Sequence, residues 1–408
     1  MTSAAVVLLT VIAAAGQAPE PLGEDEAIRL ALAGSREIPV LEGVVAAQEK
    51  LVRYARYDVR NPELRLGDIS TKYFEPGENK ELEVGLRWHP PRLGELGMKE
   101  QEERVGLWER KSGARLHRLD LVARVRKAYA RVAMFQEYSE LASRQEELEG
   151  LRLKAVEGLV NAGERPFMAL VSARKRQLKS KMTAAMARQQ LAESKEKLAA
   201  LAGVSGIGMV VVQTPPLSVP EKSVVSRVAS ANRPEAELDR QRAELVRREY
   251  GYERYRLIPW FTFVQIDYRY ESLKPDWGEL KLGIELPLFN YRTGERASTA
   301  ILRDQIPGAA AAMAGEIERR VLDALAAYNT ARADYMALAV NDAWNGGDPS
   351  ALVNEAKKHN LMADDVLELE LSDIELKELR LKAGLELSDA AVALCLAAGV
   401  ESWDGLSR

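Results

Sequence analysis

Few residues in this chain of 408 have the type and spacing to do chemistry. Asp365 and Glu368, in the stretch MADDVLELE, stand three apart, so on a helix both carboxylates share one face. Such a pair attracts cations, or simply solvates a helix. Met182 and Met186, one helical turn apart, offer two thioethers to a soft metal, although that spacing equally suits a packed core, which is the expectation here. His89, His117 and His359 lie far apart and Cys395 is the only cysteine. No intrachain disulfide, cysteine-built metal site or His-rich site is therefore expected. There is no glycine-rich phosphate loop, no Gly-x-Ser-x-Gly elbow and no His paired with a carboxylate at useful spacing. The reading is of a protein with no catalytic residue, no cofactor and no resident metal.

Composition points to long helices. The chain is 29% charged and 47% hydrophobic but only 6% aromatic, with long Ala/Leu/Glu/Arg/Lys runs. Acidic and basic residues are interspersed around a net charge of -4, which leaves no footprint for nucleic acid. Ala4 to Ala15 is an uninterrupted run of 12 small or apolar residues that ends in a small-residue site at Ala13-Ala14-Ala15. It is too short to span a bilayer as a helix and suits a signal-peptide core over residues 1–18, although no Lys or Arg precedes it. The alternative is a buried helix. No other stretch approaches 18 apolar residues, so no membrane-spanning helix is expected.

The chain is duplicated. "SREIPVLEGVVAAQEKLVRYARYDVRNPEL" from Ser35 and "NRPEAELDRQRAELVRREYGYERYRLIPWF" from Asn232 both run as helical patterns to a proline 27 residues on, an offset of 197. The strand glycines Gly85 and Gly283 keep an offset of 198, and the helix ends LAALAGV (198–204) and LCLAAGV (394–400) one of 196. Each half reads as a helix of about 36 residues, two strands, a very long helix, a turn and a helix of about 37 residues. The first long helix runs from about Arg92 to Ala162, with a seam at Leu121, Val125, Ala128, Val132 and Phe135 stepping by four and three. At 1.5 Å per residue it spans roughly 105 Å. The helices of about 36 and 37 residues, stacked end to end, match that length.

The predicted boundaries are a first repeat over 24–204, with strands at about 62–73 and 81–89 and a helical hairpin at about 92–203. A linker follows over 205–221. The second repeat covers 222–400, with strands at about 259–270 and 279–288 and a hairpin at about 295–399, before a tail over 401–408. The strands are two-faced. Trp260, Thr262, Val264, Ile266, Tyr268 and Tyr270 alternate with Phe261, Phe263, Gln265, Asp267 and Arg269. In LKLGIELPLF, Leu282, Ile284 and Leu286 alternate with Lys281 and Glu285. Strands of 9–11 residues, apolar on one face with aromatic ends, suit an outer-membrane barrel. A soluble hairpin packed on a helix is the bland alternative. In the first half, Leu64 and Leu66 are followed on the same face by Asp68, Ser70 and Lys72. Four strands cannot close a barrel, so several chains would have to contribute.

This ordered set resembles the TolC-like outer-membrane efflux family, with details similar to its heavy-metal branch. The residues that carry the resemblance are NPEL (61–64), LGELG (93–97), AGERPFMALVSAR (162–174), RPEAEL (233–238), GIELPLFNYRTGER (283–296) and the terminal LAALAGV and LAAGV segments. The resemblance implies a mainly α chain with a small membrane β part. Three copies would form a twelve-stranded barrel in the outer membrane, four strands from each, above a periplasmic α-helical tube. It implies a passive efflux duct in a homotrimer, partnered by a periplasmic adaptor, an inner-membrane pump and outer-membrane lipid. Trp260, Val264, Ile266, Tyr268, Leu282, Ile284 and Leu286 would face lipid. The hairpin tips, at Gly163, Glu164 and Arg165 and at Asn360 and Leu361, would dock on the adaptor. Asp365 and Glu368 match the family's acidic D-V-L-[DE] setting, and three copies would ring the pore constriction with six carboxylates. NDAWNGGDPSA (341–351) departs from the pattern by placing Gly346, Gly347 and Pro349 where a long helix is expected. The rival reading is a periplasmic coiled-coil adaptor or scaffold, but an adaptor would carry one helical hairpin and flanking β-rich domains.

Overall fold

The computed structural model describes residues 21–67, 81–271, 275–286, 292–344 and 363–406. The expected signal segment lies outside these residues, as do Asp68, Ser70, Lys72, Asn360 and Leu361. In chain order the elements are α1 (Glu24–Gly34), α2 (Glu37–Ala55), β1 (Glu63–Gly67), β2 (Glu81–Trp88), α3 (Glu95–Asn161) and α4 (Phe167–Ala202). Then come α5 (Lys222–Asn232), α6 (Pro234–Tyr255), β3 (Trp260–Glu271), β4 (Trp277–Glu285), α7 (Thr293–Trp344) and α8 (Ala363–Ala398), with a 3-10 turn at Trp403–Leu406. α7 ends at Trp344, and residues 345–351 of the Gly/Pro-containing stretch lie outside the described residues.

The duplication is visible in the elements. α1 and α5 have 11 residues each, and α4 and α8 have 36 each. Gly203 (φ 69°) and Gly399 (φ 73°) end the latter pair in the left-handed conformation that glycine adopts without strain. One expectation fails in both halves: the single helix of about 36 residues before the strands is two helices. In the second half Arg233 is extended (ψ 118°) because Pro234 follows it, and Pro234 then opens α6. In the first half Ser35 is extended (ψ 124°), and its hydroxyl accepts a hydrogen bond from the Ile38 amide at 3.4 Å, which starts a new helix.

The chain divides into two compact units that cut across the repeats. One comprises 1–38, 116–232 and 317–408, the other 39–115 and 233–316. In the first unit, Ala27, Ile28 and Ala31 of α1 pack on Leu121, Val122, Val125, Tyr129, Val132 and Ala133 of α3 and on Leu198 of α4. The predicted seam is thus buried at Leu121, Val125 and Val132. Lower on the same hairpin, Ala142, Ala184 and Ala187 are fully buried between α3 and α4, small side chains that let two helices approach closely. The segment expected as a linker is packed. Leu22 donates to the Met209 carbonyl (3.0 Å) and accepts from the Val211 amide (3.2 Å).

A tyrosine clasps this segment from each long helix. The Tyr129 hydroxyl lies 2.9 Å from the Leu22 carbonyl and 2.7 Å from that of Val211. Tyr328, 199 residues later, places its hydroxyl 2.6 Å from the Pro216 carbonyl and 3.1 Å from that of Ser218. Both rings are buried, and burial raises both phenol pKa values, so each hydroxyl stays a donor.

In the second unit polar pairs hold the start of α3. Arg56 of α2 grips Glu100 through two hydrogen bonds (2.6 and 2.8 Å). That contact holds the Glu100 carboxyl below its ordinary pKa. From α6, Gln241 pairs with Gln101 at 3.1 Å and Arg242 with Glu109 at 2.9 Å. The four strands form one antiparallel sheet in the order β1-β2-β3-β4.

Replacing Tyr129 by Phe removes the donor shared by two carbonyls. It should lower stability by about 1–2 kcal/mol, read from the urea unfolding midpoint. Tyr328→Phe should cost a similar amount, because it breaks the equivalent clasp.

Candidate functional site

The sheet is assembled from cross-strand rows. One row runs Leu64–Leu86–Ile266–Leu280 through all four strands. Beside it lie Leu66–Val84–Tyr268 and Trp88–Val264–Leu282. The other face is polar, with rows Arg65–Gly85–Asp267–Glu279 and Glu63–Arg87–Gln265–Lys281. Strict alternation puts successive residues on opposite faces, so the pattern in the sequence fixes both.

Exposure is inverted relative to a soluble sheet. Ile266 is 61% and Leu282 51% exposed, and Tyr268, Ile284 and Leu286 are exposed with them, whereas Asp267 and Gln265 are each 3% exposed. The buried polar groups are partnered. The Lys281 ammonium lies 2.8 Å from Asp267, and the Gln265 amide donates to both Asp267 oxygens at 2.7 Å. Arg87 and Arg65 donate to the Gln265 oxygen at 2.5 and 3.2 Å. Arg269 pairs with Glu83 at 2.6 Å. The network therefore crosses from β1 to β4. Gly85 sits under it, where a Cβ would strike the Asp267 carboxylate.

One expected position is corrected. The alternation in the sequence places Trp260 on the apolar face with Val264 and Ile266. A β-bulge between Phe261 and Phe263 shifts the register, so Trp260 stands opposite Glu285 and Phe261 opposite Ile284. Phe261, not Trp260, is the exposed aromatic at that end. The apolar face then has Trp88 and Phe261 towards one end and Tyr268 and Tyr270 towards the other, an aromatic pair at each border. The strand limits also shift: β4 begins at Trp277 rather than 279 and ends at Glu285. β1 is described over Glu63–Gly67 only.

Junction contacts tie the strands to the helices. The His89 Nδ1 lies 2.6 Å from the Thr262 carbonyl, and Arg92 pairs with Glu285 and with the Arg256 carbonyl (3.3 Å).

In the first unit α3 ends in a tight turn. Gly163 takes φ 76°, and the amides of Glu164 and Arg165 return to the Leu159 carbonyl at 2.9 and 3.3 Å. Gly163 and Glu164 are exposed, as are Phe167 and Met168 just beyond Pro166. Asp365 falls in the first turn of α8, with its side chain outside what the structure describes. Glu368 is exposed, with its carboxylate 4.0 Å from Arg152 of α3, a cation that spacing along α8 could not reveal. Met182 and Met186 are exposed, so the expected core packing does not occur within the chain. Among the described residues no cluster of three His, Cys, Asp or Glu could hold a metal ion, and no helix is long and apolar enough to cross a membrane. Cys395 is buried, and burial raises its thiol pKa to about 11.

The Asp267–Lys281 pair yields a test. Lys281→Met strands the buried Asp267 carboxylate and should lower the thermal midpoint. In an Asp267→Asn background the same change should cost much less, and a double-mutant cycle in detergent measures the difference.

Comparison with protein-family models gives no match, and no curated protein sequence matches significantly. Solved structures do match. The chain is similar to CusC, a protein described as forming a transmembrane channel, with a TM-score of 0.70 and 16% identity over 92% of both chains. It is also similar to a membrane protein from Pseudomonas aeruginosa, with a TM-score of 0.67 and 17% identity over 92% of this chain and 93% of that one. The MtrE outer membrane channel of Neisseria gonorrhoeae, in its open state, matches with a TM-score of 0.66 and 16% identity over 93% of this chain and 89% of that one. These likenesses span nearly the whole chain, and its fold is the TolC-like fold of outer-membrane channels.

Proposed function

We propose that the chain is the outer-membrane channel component of a tripartite efflux system. It would be a passive homotrimeric duct that carries substrate from an inner-membrane pump and a periplasmic adaptor to the exterior. The observation that carries this reading is the inverted sheet: apolar residues exposed on one face, paired charges on the other and, among the described residues, two open edges at β1 and β4. In lipid every backbone group needs a partner inside the protein, and four strands cannot supply that alone. Twelve strands from three copies close without an edge. The apolar face, with Val264, Ile266, Tyr268, Leu282, Ile284, Leu286 and now Phe261, would meet lipid. The Arg65–Gln265–Asp267–Lys281 network would line the lumen.

The helical part would stand in the periplasm, with 24–204 and 222–400 as the two repeats. The tips at Gly163, Glu164 and Arg165 and at Asn360 and Leu361 would receive the adaptor. Asp365 and Glu368 would ring the constriction, with Arg152 holding Glu368 in place. The duct would have no catalytic residue and no cofactor; the pump would supply energy and substrate choice.

Membrane fractionation with crosslinking should find a trimer in the outer membrane, and the purified protein should give conductance steps in a planar bilayer. A soluble monomer would sink the proposal and favour a periplasmic adaptor or scaffold. Asp365→Ala with Glu368→Ala should weaken cation selectivity and block by multivalent cations. Unchanged conductance and block would remove the carboxylate ring and leave the duct.

A further inference from the structure

The seam between α3 and α8 is filled at one end and hollow at the other. Towards the end of α3, Leu141 and Leu148 pack on Leu367, Leu371 and Ile374 of α8. Further along the same two helices the lining positions are small: Ala130 and Ala133 on α3, and Gly384, Ser388 and Ala391 on α8. These side chains do not fill the space, and a cavity of about 1000 Å³ remains, lined wholly by residues of the first compact unit. Protein interiors are close-packed, with few voids larger than a water molecule. A space of this size lies within the range of small-molecule sites, roughly 300–1,000 Å³.

Much of the wall is apolar. Met134, Leu381, Leu385 and Val392 line it, and Tyr335 of α7 and Trp403 add aromatic surface. Both rings are held in place. A Cβ on Gly384 would lie 3.4 Å from the Tyr335 ring. The Trp403 indole donates to the Ser218 hydroxyl at 3.1 Å, and its ring leans on Tyr328 with 4.8 Å between centroids.

The charged groups on the wall do not balance. Arg126 pairs with Glu24 at 3.5 Å, Arg144 with Glu147 at 2.7 Å and Lys377 with Asp373 at 2.7 Å, while Arg380 lies over the Tyr335 ring. Asp404 is partnered as well. Glu137 and Glu140, three apart on α3, are left over, and among the described residues neither has an ion-pair partner. Burial, and after it the neighbouring Glu140 charge, raises the Glu137 pKa, as expected of a carboxylate with no cation beside it. A metal ion would leave most of the space empty, and among the described residues no cluster of three ligating side chains is present. An anion would face two unpaired carboxylates, with the wall cations already engaged.

We propose that the α3–α8 cavity binds a hydrophobic organic cation, with its charge beside Glu137 and Glu140 and its apolar body against Met134, Leu385 and the aromatic wall. An aromatic face attracts a cation in its own right. Every lining group belongs to one chain, so the site does not rest on the duct reading.

The test uses the full chain in a neutral detergent and two probes of the same shape and opposite charge, tetraphenylphosphonium and tetraphenylborate. Equilibrium dialysis against protein-free micelles separates binding to the protein from partition into detergent. Tetraphenylphosphonium should bind saturably above the micelle background, and tetraphenylborate should not. Glu137→Gln with Glu140→Gln should weaken binding of the cation by about tenfold or more, a change that preserves the shape of both side chains. Ala130→Leu with Ser388→Leu fills the space without changing charge and should abolish binding, with helix content by circular dichroism retained. If that filled variant loses its helices, the glutamine pair decides alone. Absence of saturable binding, equal binding of the two probes, or cation binding unmoved by the glutamine pair would each overturn the proposal. So would binding that survives in a folded, filled variant.

Discussion

A β-strand carries hydrogen-bonding groups on both sides, and a four-stranded open sheet satisfies them only between its neighbours. Among the described residues β1 and β4 each keep an outward row of amides and carbonyls. A soluble protein would cover those rows, or blunt them, and would bury the apolar face. Here the large apolar side chains point outward, while Asp267 and Gln265 are buried and held by charged neighbours. Sequestration works only because the charges are complementary in position. Asp267 meets Lys281 from one neighbouring strand, and Gln265 meets Arg87 from the other. The unit is therefore self-consistent on its polar face and incomplete at its edges.

The helical unit solves a different problem. Its helices are too amphipathic and too long to enclose one core, so burial is distributed along seams. Large residues gather where α1, α3 and α4 meet, while alanines permit close approach further along the hairpin. The two tyrosine clasps hold the segment that links the repeats, so it acts as packed structure rather than a tether. The two donors sit at equivalent positions, so the duplication extends to the clasping tyrosines, although the carbonyls they reach are not equivalent.

Much of this was legible in the sequence, for physical reasons. Alternation has a period of two and helical seams a period near three and a half, so the strand faces and the Leu121–Val132 stripe could be read directly. The fixed offset between halves exposed the repeat. Local events that break a period could not be read this way. The bulge at Phe261–Phe263 moved Trp260 off its expected face, since one extra residue reverses every assignment beyond it. The helix break at Arg233 did have a signal, the following Pro234, but the break at Ser35 rests on a hydroxyl cap that many serines never form. The Glu368–Arg152 pair joins two helices, and spacing within one helix carries no information about it. Met182 and Met186 show the limit most plainly: apolar residues at helical spacing mark a buried face without saying whether one chain or several bury it.

The division of charge between the hairpins has a historical consequence. Two identical halves could once have served as separate subunits in a ring of equal members. α4 is now strongly basic, with eight Lys/Arg against two Glu, and α8 carries nine Asp/Glu against three Lys/Arg. A shared repeat has thus given two last helices of opposite charge sign, so the halves keep one fold while presenting different electrostatic faces.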